Sequence, residues 1–140
     1  MIRAEVGGKV SPRAERVYAG YFVVQAAVGV ALWVVFASSS TVRSWFDLVT
    51  ERHAVANAFL YPDVAVIVVG SLLSAWALWV EAPSAVPLTA FTAGGVLYPT
   101  FYLVGWVMLG GDTGGLTLAI MIPPSILTCW IAHQVWITRR

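Results

Sequence analysis

From Val17 to Ser38 the chain reads VYAGYFVVQAAVGVALWVVFAS, a run without a charged residue. At 1.5 Å of rise per residue, about 20 helical residues cross a hydrocarbon core of roughly 30 Å. This run is therefore long enough to cross a bilayer. Three more runs of similar length follow, at Asn57–Val80, Val86–Leu109 and Leu116–Trp136, with Asp63 the one Asp, Glu, Lys or Arg among them. Buried helices of water-soluble proteins are rarely so long and so free of charge. In lipid the backbone finds no water to bond, so each run must be helical. The runs do not alternate with period two over about 10 residues, which excludes a β-barrel.

Composition points the same way. Of the 140 residues, 59% are hydrophobic and 11% charged, against about 25% charged in soluble domains. A soluble fold of this composition would expose large apolar patches. The sequence predicts an all-α integral membrane four-helix bundle: one transmembrane domain over residues 1–140, running up-down-up-down because short loops make neighbours antiparallel. No internal repeat or second domain is visible.

Arg3, Lys9, Arg13 and Arg16 precede the first run, Arg139 and Arg140 follow the fourth, and only Arg43 and Arg52 lie in the first loop. The positive-inside rule places both termini in the cytoplasm of a multi-pass protein of the cytoplasmic membrane. That topology puts Trp33, Trp45 and Trp106 at the outer interface and Trp76, Trp79, Trp130 and Trp136 at the inner one, as an aromatic belt requires. A net charge of +1 leaves no basic footprint for nucleic acid.

Ser11-Pro12 reads as a helix start, with serine capping and proline in the first turn. In the first loop, Val42, Trp45, Phe46 and Val49 recur at helical spacing, which predicts a short helix at about 41–52 on the outer membrane surface. Pro99 and Pro123-Pro124 fall at similar depth, so kinks are expected in the third and fourth spans, and interrupted helices at matching depth point to a binding site.

Asp63 is the principal candidate for chemistry, because an ionisable group inside a span is costly and functional by default. The competing reading is a helix start, where Pro62 and the helix dipole favour a carboxylate. Asp63, Gly70, Ser74 and Glu81 follow one line down the second span. Tyr98 and Tyr102, one turn apart, would assist Asp63 as acid or base. At mid-depth, Gln25, Ser71, Ser74, Tyr98, Tyr102, Ser125 and Thr128, with Cys129 within reach, are the expected lining of an apolar pocket with a few hydrogen-bonding groups, suited to a lipophilic molecule. Glu81 and His133 are placed to pair at the inner interface.

Other chemistries are excluded or absent from the pattern. His53 and His133 are separated by most of the membrane, which rules out a haem held between them in one subunit. Cys129 is the only cysteine, so thiol–disulfide chemistry within the chain is excluded. No metal-ligand spacing, phosphate loop or Ser-His-Asp set is present, and no cofactor is expected.

The leading expectation is a membrane protein that binds a lipophilic small molecule in its bundle, or serves as a subunit of a larger membrane complex. The alternatives are an intramembrane acid–base enzyme, an isomerase or cyclase of a lipophilic substrate using Asp63, and a small proton-coupled transporter. The bilayer is the certain partner; a homo-oligomer stays open.

Overall fold

Ser11 begins the first helix as the sequence predicts: its side chain accepts from the backbone N–H of Ala14 at 3.3 Å, and Pro12 follows in the first turn. The computed structural model describes residues 11–46, 60–110 and 115–139. These form five helices: α1 (Pro12–Ser38), α2 (Ser40–Phe46), α3 (Leu60–Trp79), α4 (Ala85–Met108) and α5 (Gly115–Thr138). No strand occurs among the described residues. Helices α1, α3, α4 and α5 are long and apolar enough to cross a membrane. The short α2 begins where the surface helix at 41–52 is expected; residues 47–52 of that expectation lie outside the described residues, as do His53 and Asn57.

The distribution of side chains is that of a protein in lipid. Between 17% and 33% of the residues in each span's most apolar window are buried, so most of each span faces outward. The outward residues include Val24, Val28, Val34, Leu72, Phe91 and Ile126, whereas Ser71, Ser74, Thr89, Thr92, Ser125 and Thr128 are buried. Water would favour the reverse. In hydrocarbon, hydroxyls find partners only between helices.

At one end of the bundle, the start of α1, the turn between α3 and α4 and the end of α5 come together. Glu15 takes two hydrogen bonds from Arg139, at 3.1 Å from Nε and 2.8 Å from Nη2, and the third arm of the guanidinium donates to the carbonyl of Ala82. A small-residue core of Ala19, Ala75, Ala77 and Ala85, with Phe22, Leu78, Ile131 and Val135, lies against this end. The turn itself is a Schellman motif. Ala82 N–H donates to the Ala77 carbonyl and Glu81 N–H to that of Leu78. Its left-handed residue is Glu81, with φ 56°, a position that glycine usually holds.

The second span departs from regular α geometry. Val64–Gly70 is π-helical, and three glycines meet this stretch. A Cβ on Gly95 of α4 would overlap Val66, one on Gly29 of α1 would sit 3.2 Å from Ile67, and one on Gly70 itself 3.0 Å from the Thr92 hydroxyl. The widened turn is thus packed directly on neighbouring backbone. The prolines expected to interrupt the third and fourth spans, Pro99 and Pro123-Pro124, lie inside helices assigned without a break.

Candidate functional site

The hydroxyl-bearing face of each span meets the others in a hydrogen-bonded belt. Tyr21 of α1 lies 2.8 Å from the Thr128 hydroxyl of α5 and 3.1 Å from the carbonyl of Pro124. Thr128 donates to Gln25 Oε1 at 2.8 Å, and Gln25 Nε2 donates to Ser71 at 3.2 Å. Ser74 and Thr92 join α3 to α4 at 3.0 Å, and Thr100 and Ser125 join α4 to α5 at 2.7 Å. Each threonine or serine hydroxyl has one proton. Thr128, Thr100 and Ser125 also lie within hydrogen-bonding distance of the carbonyl four residues back, so these protons have a fallback acceptor on their own helix.

Five of the residues expected to line a pocket, Gln25, Ser71, Ser74, Ser125 and Thr128, are therefore inside the bundle and hydrogen-bonded across helices. They fill the interior between the helices, and Ser125 also lines a groove between α4 and α5. Tyr98 and Tyr102 lie elsewhere. Tyr98 is 72% exposed and Tyr102 41% exposed, both on the outward side of α4. Their one-turn spacing keeps them together on one face, but it is not the face that joins the belt.

Asp63 is half-buried. It stands at the fourth position of α3, immediately before the π-helical stretch, and makes no capping hydrogen bond to it. Its side-chain partner is Trp33 of α1, whose indole N–H donates to the carboxylate. No ion pair to Asp63 is present among the described residues. Tyr98 makes no hydrogen bond to it, so the expected acid–base pairing of Asp63 with Tyr98 is not assembled. Glu81 and His133 are likewise not brought together: Glu81 is exposed in the Schellman turn, and His133 is exposed with its ring 6.2 Å from that of Trp136. Arg139 and Glu15 form the ion pair at that end instead.

A groove of about 470 Å³ runs between α4 and α5 on their outward side. Leu97, Phe101, Val104, Ile122 and Ile126 form its walls, with the bonded Thr100–Ser125 pair and Cys129 also lining it. Its size falls in the range of small-molecule sites, about 300–1,000 Å³. Of its lining Ser125 and Cys129 were expected near mid-depth. Thr100 carries a signal that spacing could have revealed: Thr89, Thr92, Val96, Thr100 and Leu103 recur at three and four residues and are all buried, the stripe of a helix face turned inward.

No family model, curated protein or solved structure matches this chain.

Proposed function

We propose that this four-span membrane protein, with both termini in the cytoplasm, is not an enzyme but a binder of a lipophilic small molecule, held in the groove between α4 and α5. The observation that carries the reading is the groove itself: about 470 Å³, walled by apolar side chains, with a hydroxyl pair at one place in its lining. An apolar cleft whose two hydroxyls are already bonded to each other suits a molecule that is mostly hydrocarbon. The hydroxyls and amide of the interior are already bonded across helices, which supports the groove as the place for such a ligand.

The test is native mass spectrometry of gently extracted protein. A reproducible added mass of a few hundred daltons, lost when Cys129→Trp fills the groove, is the expected result. A bare chain, or an added mass indifferent to that substitution, overturns the reading.

One observation favours the acid–base alternative: Asp63 is a half-buried carboxylate in a span, bonded to Trp33, with no cap or ion pair among the described residues. The two readings separate on Asp63→Asn. Binding in the groove persists in that variant, whereas an enzyme that uses Asp63 loses turnover while still folding and binding.

A further inference from the structure

The outward side of α4 is unlike the rest of the lipid-facing surface. Phe91, Gly94, Tyr98, Tyr102 and Gly105 are three or four residues apart and so share one face. Phe91, Tyr98 and Tyr102 are exposed, and a Cβ added at Gly94 or Gly105 would meet nothing within 4 Å. Glycine is the least favourable residue of a helix interior apart from proline, and neither of these two is explained by packing among the described residues. Gly95, next in the chain, shows the contrast, because Val66 occupies the space its Cβ would need.

Tyr98 supplies a second, independent observation. It is the fourteenth of the 24 residues of α4, close to the middle of the span. Its hydroxyl has no hydrogen-bond partner among the described residues. The headgroups begin about 15 Å from mid-depth, beyond the reach of a tyrosine side chain. A hydroxyl left in hydrocarbon costs free energy unless another protein group meets it.

We infer that this face of α4 docks on the same face of a second copy, forming a two-fold dimer with parallel α4 helices. Copies inserted in one orientation place residue i at the depth of its own counterpart, so each Tyr98 hydroxyl meets the other at the level where neither reaches water. A hydroxyl is both donor and acceptor, so one can donate to the other. Gly94 and Gly105 supply the close backbone approach on which membrane helix pairing depends. Phe101 borders both this face and the groove, so the second copy would also stand beside the groove mouth. The pairing itself does not depend on any ligand there.

Stoichiometry in lipid nanodiscs, counted by single-molecule photobleaching without added ligand, tests the inference. The wild-type chain is expected to be dimeric. Gly94→Ile, whose Cβ would meet nothing within 4 Å among the described residues, is expected to leave folded monomers, while Gly20→Ile on α1, whose Cβ is equally clear, leaves dimers. Tyr98→Phe is expected to weaken association about threefold, the effect of an average interhelical hydrogen bond in a membrane. In a Cys129→Ser background, Tyr98→Cys is expected to cross-link to its counterpart on oxidation. A monomeric wild type, a Gly94→Ile protein that still dimerises, or the absence of the Tyr98→Cys cross-link overturns it.

Discussion

The two ends of the bundle are held by different means. At the end that carries Glu15, Ala82 and Arg139, alanines let helices approach, a contiguous apolar core fills the space between them, and one guanidinium ties three segments together. Farther from that end the contacts among the described residues are of another kind. Single hydroxyl pairs bridge α3 to α4 and α4 to α5, glycine backbone packs on a π-helical stretch, and buried apolar residues such as Phe36, Val96 and Leu103 stand outside the contiguous core. Asp63 and most of the groove belong to this second region. Lipid contributes no hydrophobic drive between helices, so close alanine packing and the ion pair supply the cohesion of the first end, while the second, among the described residues, diverges from regular helix. Binding features are commonly drawn from the less stable part of a fold.

Five substitutions probe this contrast. The largest effect is expected from Arg139→Ala, which strands the buried Glu15 carboxylate and frees the Ala82 carbonyl. A loss of about 3 kcal/mol in unfolding free energy, measured by steric trapping in bicelles, is the anticipated cost of breaking a buried pair. If the loss is under about 1 kcal/mol, the ion pair does not close that end. Gly95→Leu should cost about 2 kcal/mol or more by overpacking against Val66. Its signature is a lowered melting temperature followed by tryptophan fluorescence, and an unchanged melt would mean that the π-helical stretch yields freely. Thr128→Val removes the donor to Gln25 and should cost about 1 kcal/mol, because the amide retains Ser71. Glu81→Gly relieves the left-handed backbone strain and should raise stability by about 1 kcal/mol; a destabilised variant would show that the Glu81 side chain matters to the turn. Asp63→Asn is expected to change lipophile binding least, within about twofold by native mass spectrometry.

The spans were legible because lipid leaves the backbone one solution. The sequence reading places them at 17–38, 57–80, 86–109 and 116–136, and the helices run Pro12–Ser38, Leu60–Trp79, Ala85–Met108 and Gly115–Thr138. Which polar residues face inward was also legible for Gln25, Ser71, Ser74, Ser125 and Thr128, since a hydroxyl or amide in a span turns toward protein. What they do there was not, because periodicity gives a face but no partner across it. The same limit hid Tyr98: two tyrosines one turn apart mark a stripe, and nothing local tells an outward stripe from an inward one. Glu15 and Arg139 lie in the polar flanks of the first and fourth apolar runs, and no pattern in either segment announces a contact 124 residues away.

That separation has a consequence for synthesis. The carboxylate of Glu15 enters the membrane region with the first span, yet its guanidinium is made 124 residues later. At about 5–20 residues per second, the interval is roughly 6 to 25 seconds. During that time the first helix has its buried acid unpaired, and water or lipid headgroups must hold it. The tightly tied end of the mature bundle is therefore the last to close as the protein is made, and an insertase or chaperone would find it open.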